Sequence, residues 1–261
     1  MNDGNEILRV EGLSKTFKLS KKQQRIERTS QTTRVAVNDL SFCAYPGEIF
    51  GLLGPNGAGK TTTLRILATL IKPDCGDAFI EGTSVIRDPE YTRSRIGFLT
   101  SDLRMEDFFT PDYLFDFFST LRKIDPAVAA GRKELLFCRF GINEFAQVKI
   151  KNLSSGMKQK ASLVLSIVHD PDIIIFDEPT NGLDVITAKL VTDYLEELRA
   201  AGKSIVLSTH IFSLVERLCD RVGIIFEGQM VACDTLENIC EGSSLEDRFF
   251  ELYRQAGGEV A

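Results

Sequence analysis

The sequence lacks the features that mark several large protein classes. No apolar run in its 261 residues approaches the roughly 18 residues that a membrane-spanning helix requires, so we expect no transmembrane segment. Residues 1–6 are polar and acidic, unlike a signal peptide. The six cysteines form no C-x-x-C pair, which indicates reduced thiols in a cytosolic protein. The two histidines, His169 and His210, lie too far apart in the sequence to suggest a local metal motif.

Positive charge is not in excess either. The formal net charge is −6 and no lysine or arginine block dominates, which argues against a general nucleic-acid binder. Hydrophobic residues make up 43% of the chain and charged residues 26%, which are ordinary globular values. The length is typical of one large domain or two small ones.

Strand and helix patterns alternate along most of the chain, which predicts an α/β fold. Residues 18–34 are polar and basic and predict an exposed loop, which could also meet acidic lipid headgroups. The pattern Ser243-x-x-Glu246 predicts the capping box of a last helix. Apolar or alternating segments predict strands at 7–10, 35–37, 40–44, 48–53, 78–80, 96–99, 172–176 and 204–209, and a hairpin over 222–232.

The segment from about 102 to 152 has a helical pattern. Thr110, Pro111 and Asp112 supply an N-cap, a first-turn proline and an acid near the positive end of the helix dipole. Most of its aromatic side chains are expected in the core of a small helical subdomain, and some could line a groove for a partner helix. Apolar residues follow Asp112 at helical spacing: Leu114, Phe117, Phe118 and Leu121.

The most specific motif is a phosphate-binding loop, G-x-x-x-x-G-K-T, between a short apolar strand and a helix. Glycines bring backbone N–H groups against anionic oxygens, Lys60 can reach the β- and γ-phosphates, and the Thr61 hydroxyl can bind Mg²⁺. The alternative is an ordinary glycine-rich turn, which the other motifs disfavour. The loop consists of Gly54, Pro55, Asn56, Gly57, Ala58, Gly59, Lys60, Thr61 and Thr62.

Two adjacent carboxylates end the apolar strand at 172–176. The carboxyl ends of parallel strands face the ligand crevice, so Asp177 is placed to hold the Mg²⁺ shell. Glu178 is placed to polarise a water against the γ-phosphate. His210 ends the next predicted strand and is expected to face the same crevice.

A small-residue turn lies upstream of these carboxylates. The sequence LSSGM at 153–157 opens a helix, predicted over 158–168. Backbone N–H groups, the hydroxyl of Ser154 and the helix dipole would make an anion site there. By itself this would be only a good N-cap. A further turn, Asn-Gly-Leu-Asp at 181–184, follows the acidic pair.

These five elements, in this order and spacing, resemble the nucleotide-binding cassette of ATP-binding cassette (ABC) transporters over roughly residues 7–235. The resemblance implies that the phosphate loop is the Walker A loop. Asp177 resembles the Walker B aspartate, Glu178 the catalytic glutamate and His210 the switch histidine.

The resemblance also assigns residues outside this crevice. Phe17 resembles the aromatic residue that stacks on adenine, Ser154 and Gly156 belong to the signature sequence, and Asp184 to the D-loop. In the family, two cassettes sandwich two ATP molecules, and each signature caps the nucleotide on the opposite Walker A loop. The implied cofactors are ATP and Mg²⁺, and the implied partner is a second cassette, expected to be a second copy of this chain.

The implied fold is α/β: a RecA-like P-loop NTPase core with an inserted helical subdomain and a small antiparallel β part. We expect one ABC ATPase domain over 1–261. Its core and antiparallel part would comprise 7–100 and 159–235, the helical subdomain 101–158, and a C-terminal helix 236–261.

The sequence departs from the family pattern at residue 101 and around the signature. The family usually has Gln where Ser101 stands, a residue that contacts Mg²⁺ and the attacking water, so a water would have to bridge from the shorter serine. The signature has LSSGM in place of LSGGQ and is followed by Lys160 where arginine is common. These departures resemble the cassettes of sodium-extrusion exporters and related drug exporters.

The implied function is ATP hydrolysis that powers export across a membrane through separate transmembrane permease subunits. The chain would then be peripheral to the cytoplasmic face of the cell membrane, with residues around 101–118 near the family's docking groove. The main alternative is a soluble ABC-type ATPase acting on ribosomes or DNA, against which the single cassette and the acidic charge argue. A nucleotide-gated module without useful hydrolysis is a third reading, supported only by Ser101.

Overall fold

The computed structural model describes residues 6–26, 29–100 and 105–258, and within them it has ten strands and ten α-helices. The strands are β1 (Leu8–Lys18), β2 (Thr33–Ala44), β3 (Ile49–Leu53), β4 (Cys75–Ile80), β5 (Thr83–Ser84), β6 (Ile96–Leu99), β7 (Ile173–Asp177), β8 (Ser204–Thr209), β9 (Arg221–Phe226) and β10 (Gln229–Thr235). The helices are α1 (Lys21–Ile26), α2 (Lys60–Leu67), α3 (Pro89–Arg95), α4 (Pro111–Leu121), α5 (Pro126–Phe140), α6 (Ser155–Ser166), α7 (Val185–Ala200), α8 (Phe212–Leu218), α9 (Leu236–Cys240) and α10 (Leu245–Gln255).

A six-stranded sheet in the order β10-β9-β3-β8-β7-β6 carries the predicted crevice. All neighbouring pairs are parallel except β9 and β10, which form the predicted hairpin. Every residue of β3, β7 and β8 is buried, which explains the continuous apolar sequence of β3 and the apolar runs within β7 and β8. The register pairs Leu53 with Thr209 and Asp177 with Ser208, so the carboxyl ends of these three strands lie side by side.

A second, antiparallel sheet in the order β2-β1-β4-β5 packs on the first. Phe42 of β2 stacks on Phe50 of β3, with ring centroids 5.0 Å apart and planes inclined by 4°. Apolar side chains from both sheets join these rings in one buried cluster. This packing holds the antiparallel sheet beside the phosphate loop, which follows β3 directly.

Helices α4, α5 and α6 follow β6, in the part of the chain predicted to be helical. The predicted start of α4 is confirmed, because Thr110 accepts a hydrogen bond from the Tyr113 N–H at 3.2 Å. The predicted apolar stripe is partly wrong. Leu114 is buried, but Phe117 and Leu121 are 48% and 63% exposed. Phe115 is buried instead, because this face of α4 packs edge-on against Phe137 of α5.

Three local predictions are corrected. Residues 18–34 were expected to form a loop but contain α1, whose start is capped by hydrogen bonds between Ser20 and Gln23. Helix α6 begins at Ser155 rather than at residue 158, because Ser154 is its N-cap. The last cap is formed by Ser244 and Asp247, one residue later than predicted, and the Ser244 Oγ accepts from the Asp247 N–H at 3.0 Å.

None of the described helices is both long enough and apolar enough to cross a membrane. All six cysteines are free thiols.

Candidate nucleotide site

The phosphate loop connects the buried strand β3 to α2 in a shape that requires glycine. Gly59 has a φ of +103°, and a Cβ there would collide with the carbonyl oxygen of Ala36. Lys60 begins α2 and is 5% exposed. Its Nζ donates to the carbonyl oxygens of Gly54 at 2.6 Å and of Pro55 at 3.2 Å, so the lysine folds back along its own loop.

Asp177 lies beneath the loop at the carboxyl end of β7 and is 1% exposed. Its Oδ1 accepts from the Ser208 hydroxyl at 2.6 Å and from the Thr61 hydroxyl at 3.0 Å. Its Oδ2 is buried without a hydrogen-bond partner among the described residues. A buried carboxylate oxygen in need of a partner, next to a hydroxyl, fits a hard cation such as Mg²⁺.

Glu178 occupies the centre of the crevice in a strained conformation. Its φ is +50°, which a non-glycine residue rarely adopts. Two hydrogen bonds hold this turn, because the Glu178 N–H donates to the carbonyl oxygen of Ser208 at 3.1 Å and to its hydroxyl at 3.2 Å. The carboxylate lies beside the phosphate loop, with its Oε1 3.5 Å from Lys60 Nζ and 3.0 Å from His210 Nδ1.

The electrostatics of Lys60 reflect this burial. Desolvation lowers the pKa of Lys60, and the charges of Glu178 and Asp177 oppose that effect. The lysine is therefore a buried cation that depends on nearby negative charge, which is the property required of a phosphate-binding lysine.

A cavity of about 410 Å³ lies over the phosphate loop. Phe17 of β1 and Glu178 both line it. The residue expected to stack on adenine and the residues expected to bind the phosphates therefore line one cavity. Its full lining is Phe17, Leu19, Gln23, Arg34, Ala36, Asn56, Gly57, Ala58, Gly59, Lys60, Thr61, Thr62, Glu178 and Asn181.

Seven of the predicted site residues that the structure describes do not line this cavity: Gly54, Pro55, Asp177, His210, Ser154, Gly156 and Asp184. The first four contact residues that do line it. Ser154 and Gly156 lie at the exposed start of α6, and Asp184 caps α7. The Asp184 carboxylate accepts from the backbone N–H groups of Ile186 and Thr187, and these bonds, led by those from Thr187, lower its pKa. Ser101 lies outside the described residues.

The sequence reasoning missed Ser208 and Arg34. Ser208 touches both carboxylate residues, through Asp177 Oδ1 and the Glu178 N–H. The available signal was a hydroxyl near the carboxyl end of a buried strand. Arg34 lines the cavity from β2, and its basic surroundings hid it within the segment predicted to be a solvated loop.

Comparison with known proteins agrees with this geometry. The family model described as ABC transporter matches residues 37–181. The chain belongs to the ABC transporter family. Its match to the ABC transporter ATP-binding protein NatA of Bacillus subtilis (strain 168) is 35% identical over 213 residues, covering 81% of this chain and 87% of that protein. The Nod factor export ATP-binding protein I of Burkholderia lata is 39% identical over 201 residues, covering 76% of this chain and 66% of that protein.

Solved structures show the same fold. The ATP-binding subunit of an ABC transporter superposes with a TM-score of 0.82 at 28% identity, covering 94% of this chain and 99% of that one. A dimeric post-hydrolysis structure of the ATP-binding cassette MJ0796, bound to ADP and phosphate, has a TM-score of 0.77 at 22% identity and covers 88% and 98%. The predicted fold class, family and ATP-hydrolysing activity are confirmed.

Proposed function

We propose that this ABC ATPase powers export through a separate transmembrane partner, with two copies of the chain closing around two ATP molecules. The observation that carries the catalytic part is the cluster of Lys60, Glu178 and His210 above the buried Asp177, which accepts a hydrogen bond from Thr61. It joins a buried cation, a carboxylate and an imidazole at the mouth of a phosphate loop.

In this proposal the phosphates lie along Gly57–Thr62 and the start of α2, where backbone N–H groups and the helix dipole favour negative charge. The adenine stacks on Phe17. Thr61 and Asp177 would hold Mg²⁺, with Ser101 near its shell, and the ion would supply charge neutralisation for the β- and γ-phosphates.

The side chains of this cluster would perform the hydrolysis. Lys60 and His210 would donate hydrogen bonds to the γ-phosphate oxygens, which relieves the buried charge of the lysine. Glu178, released from these two groups, would orient the attacking water and accept its proton. Positioning and charge stabilisation are the main requirements of phosphoryl transfer, and this site supplies both.

A second copy would complete the site through the start of α6. In one chain, a Cβ at Gly156 would meet nothing within 4 Å, so the chain's own packing does not require glycine there. The close approach of a second molecule would require glycine at this position. Val185 and Ile186, which follow Asp184, are 86% and 83% exposed. Exposing two adjacent apolar side chains to water is unfavourable, which favours a partner that covers them.

The membrane partner would dock beside α4, in the helical subdomain proposed for 101–158. An apolar cavity of about 400 Å³ lies there between α4 and α6, and exposed aromatic side chains such as Phe108 and Phe117 stand nearby. The chain would then be peripheral to the cytoplasmic face of the membrane. The relatives named for export favour this direction of transport, and sodium or drug efflux is the substrate class that the signature and Ser101 suggest.

No feature of the described residues favours the alternative, a soluble ABC-type ATPase acting on ribosomes or DNA. A module without hydrolysis conflicts with the intact cluster of Lys60, Glu178 and His210.

The variant Glu178→Gln tests the sandwich mechanism. It keeps the shape of the side chain but removes the base, so we expect kcat to fall at least about 100-fold while ATP binding persists. Trapped ATP should then convert the monomer to a dimer in size-exclusion chromatography with light scattering. Glu216→Gln, the same change at an exposed position of α8, should do neither. An ATP-loaded Glu178→Gln protein that stays monomeric would contradict the sandwich mechanism.

A further inference from the structure

Arg34 lies in the nucleotide cavity, directly across the β1–β2 ladder from Phe17. The antiparallel register pairs these two residues. Directly opposed residues of an antiparallel pair project to the same face, with Cβ atoms only about 5 Å apart. Both side chains accordingly line the cavity over the phosphate loop.

The guanidinium of Arg34 reaches the phosphate loop itself. A Cβ built on Gly57 would lie 2.7 Å from Arg34 Nη2. Gly57 has a φ of +84°, so its bare Cα turns toward the arginine and leaves room for the planar fork. The Arg34 guanidinium therefore lies on this side of the cavity, between the phosphate loop and Phe17, the proposed adenine-stacking residue.

The position of Arg34 along the cavity selects one phosphate. Glu178, with Lys60 and Thr61 beside it, marks the end where the terminal phosphates react. Phe17 marks the base end. Arg34 is paired with Phe17, and its guanidinium lies beside Gly57 of the loop. A nucleotide whose adenine stacks on Phe17 would bring the phosphate nearest the ribose closest to this side chain.

We propose that the guanidinium of Arg34 binds the α-phosphate of the nucleotide in this cavity. The inference rests on ATP binding at the phosphate loop, as proposed above. An arginine fork suits a phosphate because it donates two N–H groups in a fixed plane and keeps its charge at any physiological pH. Leu19 and Gln23, from the segment between β1 and β2, also line this cavity.

This contact has a kinetic signature that separates it from the catalytic cluster. The α-phosphate is present in ATP and in ADP, so Arg34 stabilises the bound substrate, transition state and product alike. Such uniform binding lowers KM without raising kcat. Removing it should therefore change affinity and leave the chemical step intact.

The test measures dissociation constants by isothermal titration calorimetry for ADP and for the non-hydrolysable analogue β,γ-imido-ATP. In Arg34→Ala both constants should rise by the same factor, roughly three- to tenfold for an exposed charge-assisted hydrogen bond. KM for ATP should rise similarly with kcat unchanged, and Arg34→Lys should recover part of the affinity. Arg25→Ala, which removes the same charge from exposed α1, should leave both constants unchanged.

Several results would overturn the proposal. Unchanged constants in Arg34→Ala would show that the arginine does not bind nucleotide. Weaker β,γ-imido-ATP binding with normal ADP binding would place it on the γ-phosphate instead. The nucleotide-free Arg34→Ala variant should melt at the same temperature as the unaltered protein, which would exclude a folding defect. If the alanine variant is unstable, the dissociation constants of Arg34→Lys test the proposal instead. Failure of the unaltered protein to bind either nucleotide would contradict the ATP site itself.

Discussion

Removing the Ser208 hydroxyl should damage both the stability and the catalysis of this protein. Ser208 is fully buried, donates to Asp177 Oδ1 at 2.6 Å and accepts from the Glu178 N–H at 3.2 Å. In Ser208→Ala, the buried Asp177 carboxylate would keep only the Thr61 hydroxyl among the hydrogen bonds found here. Glu178 would retain one backbone hydrogen bond to hold its strained turn.

The magnitude follows from the charge on Asp177. A hydrogen bond to a charged group contributes about 1.5–3 kcal/mol, so the free energy of unfolding should fall by about that amount. We expect kcat to fall roughly tenfold as Glu178 loses its fixed orientation, since small misplacements of a positioned group are costly. Urea denaturation and steady-state phosphate release measure the two effects.

Ser204→Ala is the matched control. Ser204 lies at the other end of β8, is 2% exposed, and accepts a hydrogen bond from the Gly47 N–H at 2.9 Å. Because this bond is neutral, its loss should cost only about 0.5–1.5 kcal/mol and should not change kcat. If the two alanine variants lost equal stability and both kept full kcat, Ser208 would not position the two carboxylates and the reasoning would be refuted.

Two further predictions concern other buried groups. Burial lowers the pKa of His169 from 6.5 to about 4, and the charges of Arg122 and Arg132 act in the same direction. The hydrogen bond to the Ile96 carbonyl oxygen and the negative charge of Asp170 raise this pKa but do not outweigh burial. The unfolded state therefore binds more protons in this range, so the free energy of unfolding should fall as the pH falls from 6.5 to 4. The loss should be about 2–3 kcal/mol, because solvent screens this partly exposed ring. In His169→Gln, urea denaturation at pH 7 and pH 4.5 should show a smaller loss, and an equal loss would contradict the assignment. Burial also raises the pKa of Cys219 to about 12, so this thiol should resist Ellman's reagent at pH 8 until the protein is unfolded. Exposed Cys75 and Cys138 should react in the native state, and a Cys219→Ala variant that lost a fast-reacting thiol would disprove this.

The framework of the candidate nucleotide site was predictable because local sequence specifies it. The phosphate loop requires glycine at fixed positions, and the apolar strands before it and before Asp177 place both at one edge of a parallel sheet. The order of these motifs along the chain was then enough to identify the family. The positions of Lys60, Glu178 and His210 in one cluster follow directly from strand ends that the sequence already marked.

Other features depended on contacts between distant parts of the chain. Phe115 rather than Phe117 is buried because α5 packs on that face of α4, which helical spacing alone does not reveal. Arg34 reaches the cavity because the β1–β2 register places it opposite Phe17. The cap at Ser244 was missed by one residue because Ser243-x-x-Glu246 and Ser244-x-x-Asp247 are similar local patterns, which the sequence alone does not separate.

The most direct test of the proposed function is co-purification of this chain from native membranes in mild detergent, with quantitative mass spectrometry. An ATP-driven exporter subunit predicts one polytopic membrane protein in stoichiometric amount, and an ATPase activity of the complex that Lys60→Ala abolishes. Recovery with ribosomal proteins or DNA, or without any membrane protein while ATPase activity is intact, would contradict the export function and favour a soluble ATPase.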